Sequence, residues 1–312
     1  IAFGAVYFLH KNGHIFLNTE TQSLSQDHEI KVVLLCCDGL FQRYLAMRLA
    51  EEYDLLGIVI HATPSAKGTL TQRLMRYLNP VKFYQYIASR ILIPRYERKA
   101  KDVIENLFFI NTKLPELPPD VPKIFVSDIN SPEAVDFVSA LNPTVVCVNG
   151  TNLLRAPMLS LSKKIPLGII NLHTGLSPYS RGGNCNLFML MRGQPQYVGA
   201  TVHYIDPGID SGDIIYSVRP NISESDILET IEAKSFHIGI EKMVQAIKEI
   251  KNGTACRVKQ WTEGTLFLRK TGYVFRPYFK IVVNKKIEKG LLETYLNHQK
   301  KYDLDVKLVG NS

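Results

Sequence analysis

Apolar and polar positions along this chain fall into two alternating regimes. Continuous apolar runs at residues 30–37, 55–60, 123–126 and 144–148 include two that close on turn-forming pairs, Asp38-Gly39 and Asn149-Gly150. Such runs predict parallel strands covered on both faces. Residues 41–53 and 132–141 carry apolar positions at helical spacing, the second opened by Ser131 as N-cap and Pro132 in the first turn. Strand, helix and strand in this order predict an α/β fold, a Rossmann-like doubly wound sheet. Residues 168–173 read as a further strand. Residues 200–205 alternate as a strand of a smaller sheet, which residues 214–219 continue, and residues 223–250 predict a long amphipathic helix with Gly253 beyond its end.

The same pattern divides the chain. Residues 1–29 read as an N-terminal hairpin and polar linker, 30–253 as the main domain, and 254–312 as a small Lys-rich C-terminal appendage. Within the appendage, residues 280–283 look strand-like and residues 289–301 helical. Residues 67–105 interrupt the main domain as a helical insertion in which Arg73, Arg76, Lys82, Arg90, Arg95 and Arg98 mix with Tyr77, Phe83, Tyr84 and Tyr86. Pro80 and Pro94 are expected to cut it into pieces. Packing on the core, a lid or phosphate-binding arm, and a membrane-surface helix all remain open for it.

Composition narrows the class. A hydrophobic content of 46% and a charged content of 21% suit a globular enzyme, and the net charge of +8 suits anionic ligands without choosing among them. The five cysteines form no CxxC pair and no metal-ligand spacing, so no metal is expected, and a reducing, cytoplasmic setting fits. No apolar run reaches the roughly 18 residues of a membrane span. No signal peptide is expected, for want of a basic start and a cleavage site.

The candidate chemistry lies in two short segments. Asn171-Leu172-His173-Thr174-Gly175 ends a predicted strand, where Asn171 and His173 point the same way. Such strand ends are where open α/β sheets bind ligands. Asp206-Pro207-Gly208-Ile209-Asp210-Ser211-Gly212 follows. An amide donor, an imidazole and a carboxylate meeting at one point would serve acyl transfer to an amine: Asn171 and His173 face the oxyanion, while His173 and Asp210 handle the proton. Taken singly, Asn171 reads as a turn residue, His173 as a packed histidine and Asp210 as an Asx-turn. Gly208 is expected to supply a left-handed turn.

The ordered series Asn171-x-His173, Pro178-x-x-Arg181-Gly182, Gly199-x-Thr201-x-His203 and Asp210-x-Gly212 resembles the 10-formyltetrahydrofolate-dependent formyltransferase superfamily. The match runs from about residue 149 to 215, with weaker resemblance in element order outside it. The resemblance implies Asn171, His173 and Asp210 as the catalytic set, with His203 supporting them from behind. It also implies 10-formyltetrahydrofolate as co-substrate. The segment at Asn152, Leu153 and Leu154 and the loop at Ile205, Asp206 and Gly208 would grip the pterin, although Leu153 and Leu154 also read as packed core residues. Thr174, Gly175, Arg181 and Gly182 would face the substrate amine.

Two departures bear on the substrate. The loop after the first strand has one glycine, Gly39, where purine-pathway members carry a Gly-rich phosphate cradle, and Thr174-Gly175 is closer in style to sugar N-formyltransferases. The leading expectation is transfer of formyl to a primary amine of a nucleotide-linked amino sugar. A methionyl-tRNA formyltransferase-like enzyme is less favoured, because residues 254–312 are short for that family's C-terminal barrel. A formyltetrahydrofolate hydrolase and a binding-only relative are the other readings. A nicotinamide-type oxidoreductase fails on the missing GxGxxG. The oligomeric state stays open, a homodimer among the options.

Overall fold

The structure, a computed structural model, describes residues 27–62, 78–109 and 112–310. Residues 1–26 of the expected N-terminal hairpin and residues 67–77 of the expected insertion lie outside these.

Strand β1 (Asp27–Cys36) shows why the first apolar run is a central strand. Val32, Leu34 and Cys36 face one core, Val33 and Leu35 the other, and all five are fully buried. Helix α1 (Leu40–Glu52) and strand β2 (Tyr53–His61) complete the first βαβ unit. Helix α2 (Pro80–Phe108) follows, then strand β3 (Lys123–Val126), helix α3 (Pro132–Leu141), strand β4 (Val145–Asn149) and strand β5 (Ile169–His173). Ser131 caps α3 as its sequence predicts, its Oγ accepting from the Ala134 amide at 3.3 Å. Strand β6 (Ser180–Gly182), helix α4 (Cys185–Met191), strand β7 (Ala200–Tyr204), strand β8 (Ile214–Val218) and helix α5 (Leu228–Lys251) come next.

Seven strands form one sheet in the order β3-β2-β1-β4-β5-β7-β8. The first five run parallel, and β7 and β8 join antiparallel. The expected α/β doubly wound sheet is therefore present: α1 and α5 cover one face and α3 the other. The smaller sheet expected from residues 200–219 is not separate. The β5–β7 pairing sets Asn171 opposite His203 and extends the central sheet. Leu34 sits at its middle with no exposed surface. Truncating it as Leu34→Ala is expected to cost about 2–5 kcal/mol in a denaturant-unfolding experiment.

Three elements differ from expectation. Pro94 does not break the insertion, because α2 runs through it. An interior proline costs about 3 kcal/mol, but Tyr96, Ala100 and Phe108 beyond it are buried, and the Tyr96 hydroxyl reaches Glu288 at 2.9 Å. Tertiary packing overrides the local preference. Residues 280–283, expected as strand, belong to helix α6 (Tyr278–Glu288). Its buried positions, Ile281, Val283, Asn284 and Ile287, follow helical spacing, and Asn284 Oδ1 accepts from the Leu228 amide at 2.8 Å, capping α5. The late helix divides into α7 (Leu291–Asn297) and α8 (Gln299–Asp303).

The last stretch of the chain is packed into the rest. A third core joins Phe188, Leu190, Leu228 and Ile231 to Phe267, Val283, Ile287, Leu292 and Tyr295. Strand β9 (Thr265–Phe267) pairs in parallel with β6. Cys36, Cys147 and Cys185 are buried, Cys37 is half-buried and Cys256 is exposed, all with free thiols. Among the described residues no helix is long and apolar enough to cross a membrane.

Candidate active site

The chain reverses its direction across the sheet between β1 and β4, and a ligand crevice is expected at the carboxyl ends of the strands there. A cavity of about 430 Å³ opens at that place. It is lined by Asn149 at the end of β4, Asn171 and His173 at the end of β5, and His203 on β7. Ile205, Asp206, Gly208 and Asp210 line the loop side, and Asn152, Leu153 and Leu154 the opposite wall.

Asp210 is the hub. Its Oδ2 accepts from the Gly182 amide at 2.8 Å and stands 3.4 Å from His173 Nδ1. Its Oδ1 accepts from Asn171 Nδ2 at 3.3 Å and lies 3.6 Å from His203 Nε2. Burial works against the charge, but His173, His203 and the Gly182 amide outweigh it and hold the carboxyl well below the usual carboxylate range. Asp210 is thus an anion at neutral pH.

Burial also pushes the His173 ring below its ordinary value of 6.5, opposed by the Asp210 charge and helped by His203. The resting ring is neutral. Its Nδ1 faces Asp210 and its Nε2 faces the Ser180 carbonyl at 3.2 Å, so each nitrogen has an oxygen acceptor. A neutral ring has one hydrogen for these two acceptors, and only the protonated ring satisfies both.

His203 has a different task. Its Nδ1 donates to the Tyr204 carbonyl at 2.7 Å, which leaves Nε2 as an acceptor for Asn171 Nδ2 at 3.1 Å. His203 and Asp210 together therefore aim the Asn171 amide nitrogen. Both Nδ2 hydrogens meet protein acceptors, so donation to an oxyanion means giving up the longer contact, the one to Asp210.

The other residues singled out from sequence are placed as follows. Thr174 lines the cavity, whereas Gly175, Arg181 and Gly182 do not. Gly175 packs behind His173, where an added Cβ would lie 2.4 Å from Nε2. Arg181 sits on β6 opposite Leu266, and Gly182 holds Asp210 through its amide. Asn152 turns its side chain to Asp128 and the Ile129 amide, at 2.8 and 3.1 Å. Leu154 is a core residue as well as a wall, and Leu153 is about half exposed at 47%.

The turn chemistry is redistributed within the loop. Asp206 makes the Asx-turn, accepting from the Gly208 amide at 3.0 Å and the Ser211 hydroxyl at 2.8 Å. The left-handed residue is Asp210 itself, at φ 47°, and Gly208 is not one of the positive-φ glycines. Glycine suits position 208 because a Cβ there would strike the Ser211 hydroxyl.

Sequence reading missed Gln42, Asn149, Phe236 and Leu268, which also line the cavity. Gln42 Nε2 donates to Asn149 Oδ1 at 2.6 Å, and Asn149 Nδ2 to the Leu172 carbonyl at 2.7 Å. The Asn149-Gly150 strand end was the available signal. Phe236 stacks on Phe41 at 4.2 Å, a contact between helices that no local pattern announces. Among the described residues no group of His, Cys, Asp and Glu side chains could hold a metal ion.

Residues 118–247 match the family described as Formyl transferase. Among curated proteins, the methionyl-tRNA formyltransferase of Clostridioides difficile is 31% identical over 129 residues, 41% of this chain and 40% of that protein. That of Halothermothrix orenii is 33% identical over 140 residues, 44% of this chain and 43% of the relative. The alignment therefore spans less than half the length of these curated relatives. Among solved structures, a 4-N formyltransferase from Francisella tularensis is 16% identical, with 77% of this chain and 76% of that one covered and a TM-score of 0.47. A sugar N-formyltransferase from Shewanella is 11% identical, with 82% and 87% covered and a TM-score of 0.49. A formyltransferase from Anoxybacillus kamchatkensis, solved with UDP-4,6-dideoxy-4-formamido-L-AltNAc and tetrahydrofolate, is 17% identical, with 76% and 84% covered and a TM-score of 0.40.

Proposed function

We propose that this chain, a member of the formyl transferase family through residues 118–247, moves a formyl group from 10-formyltetrahydrofolate to a primary amine. The observation that carries the reading is the convergence of Asn171, His173 and Asp210 on one cavity at the carboxyl ends of β4 and β5.

The cavity suits a planar, polar-edged ring. Its volume lies within the few hundred Å³ of small-molecule sites. Leu153, Leu154 and Ile205 offer apolar walls, and Asn152, Asp206 and Gly208 stand beside them. The co-substrate supplies a formyl group on a nitrogen that is a good leaving group. Asn171 Nδ2 offers an N–H to the developing oxyanion. His173 takes the proton from the attacking amine, and Asp210 beside Nδ1 stabilises the imidazolium so formed. The new bond joins amine nitrogen and formyl carbon. The bond to the folate nitrogen breaks, and that nitrogen leaves with a proton.

The proposed acceptor is the amine of a nucleotide-linked amino sugar. The single glycine of the loop after β1 and the Thr174-Gly175 pair support it. Charged initiator tRNA is the second reading, favoured by the curated relatives being methionyl-tRNA formyltransferases.

The test incubates the protein with 10-formyltetrahydrofolate and either a panel of nucleotide-linked amino sugars or methionyl-tRNA, following tetrahydrofolate release and product mass. A sugar that gains one formyl in place of one hydrogen establishes the first reading, and formyl-methionyl-tRNA the second. Folate turnover without a formylated product means hydrolysis. In the productive assay, Asn171→Ala and His173→Ala are each expected to lower turnover at least about 100-fold with the melting temperature retained. Near-normal rates in both variants would sink the assignment.

A further inference from the structure

The residues that hold Asp210 and His173 in place come from two segments, and both are tied down by residues 257–268. Gly182, whose amide meets Asp210, lies on β6, and β6 is paired along its length with β9. The same pairing carries Ser180, whose carbonyl faces His173 Nε2. The Asp210 loop is held from the other side. Ile214, just after it, exchanges two backbone hydrogen bonds with Val258, and Arg257 pairs with Asp213 at 2.8 Å.

Between these two anchors stands Gln260. Its Nε2 donates to the Asp210 carbonyl at 2.7 Å and to the Gly212 carbonyl at 3.1 Å. Both neighbours are acceptors, so only the amide nitrogen end fits there, and the side-chain orientation is settled by chemistry. The first carbonyl belongs to the residue that the chain bends into a left-handed conformation, at φ 47°, and the second lies two residues further on. A non-glycine residue keeps such a conformation only where its surroundings over-determine it.

We infer that Gln260 is a positioning residue that clamps the left-handed backbone at Asp210, so that the carboxylate meets His173, Asn171 and the Gly182 amide together. The catalytic unit accordingly extends past residue 247, where the family match ends. Leu268, on the far side of β9, lines the cavity and belongs to the same extension. The clamp acts through Asp210 and touches neither substrate. Its catalytic consequence rests on the formyl-transfer reading, but its geometric content does not.

Two variants of the full chain test it, Gln260→Ala and the near-isosteric Gln260→Glu, which while ionised has no hydrogen to give to either carbonyl. In both, the carboxylate is expected to drift from His173. Asp210 is the larger of the two influences that raise the His173 pKa against burial, the Ser180 carbonyl being the other, so its departure lowers that pKa further. The His173 ring, followed by NMR in the protein without substrate, is therefore expected to titrate at lower pH than in wild type. In turnover, kcat is expected to fall about tenfold or more, with the acid limb of its pH profile moved to lower pH and KM for the folate little changed.

Space-filling alone would leave Gln260→Glu near wild type. An unchanged His173 titration in both variants overturns the inference, and so does loss of the fold in both, since the role would then be structural. A shifted titration in a protein that formylates no amine would retain the clamp and reject the proposed function.

Discussion

Asp210→Asn is expected to cost at least about 100-fold in turnover while leaving folate affinity close to wild type. The substitution keeps the shape of the side chain and removes its charge. In the native site Oδ2 accepts from Gly182 and faces His173, while Oδ1 accepts from Asn171. An amide has one acceptor and one donor where the site presents donors on both sides, so one contact becomes a donor facing a donor. The imidazolium that forms during proton transfer also loses its counter-charge, and His173, already depressed by burial, becomes a weaker base. Steady-state rates beside a folate-binding titration would check this. Loss of binding in step with turnover would mean that the loop had collapsed and the charge was not at issue.

The same substitution has a pH signature in stability. The folded-state pKa of Asp210 lies below its ordinary value of 3.8, so the stability it contributes is present above that value and is lost as pH falls towards the depressed one. Wild type and Asp210→Asn should therefore converge in acid-unfolding experiments at the low end of the range and differ above it.

Gly175→Ala is the second large effect expected. A Cβ at that position would stand 2.4 Å from His173 Nε2 and 2.6 Å from Cys185 Cβ. Helix α4 holds Cys185 in the third core, with no exposed surface. With Cys185 fixed there, the added methyl is expected to displace the His173 ring from its place before the Ser180 carbonyl. Displacing a catalytic group by about 1 Å can cost about 100-fold, whereas overpacking of this kind costs about 1–3 kcal/mol in stability. Turnover should thus fall much more than the melting temperature. A variant with wild-type kcat would show that the ring is not held where the reaction needs it.

Much of this was legible along the chain because parallel strands buried on both faces write themselves as unbroken apolar runs. Residues 30–37 and 144–148 differ from β1 and β4 only at their ends. The site segments were legible because Asn171 and His173 share one strand and Asp210 one short loop. What was not legible depends on distant partners. Residues 280–283 are four apolar-to-basic positions that fit either period, and Asn284 decides for helix only by capping α5 across the fold. Pro94 reads as a breaker until Tyr96 and Phe108 are seen to be buried. Asp206 and Asp210 are indistinguishable as turn residues in sequence, and only Gly182 and His173, brought in from elsewhere, tell them apart. Gln42, Phe236 and Leu268 reach the cavity from three separate elements with no shared motif.

The distribution of thiols offers an experimental handle. Burial raises the pKa of Cys36, Cys147 and Cys185, and that of half-buried Cys37 to a lesser depth, so all four are poor nucleophiles towards an alkylating dye at neutral pH. Cys256 is exposed and stands four residues before Gln260 on the strap that crosses the Asp210 loop. A maleimide fluorophore would therefore label one place preferentially, without mutagenesis. Its emission would test whether that strap moves as ligands enter the cavity, including ligands that never turn over.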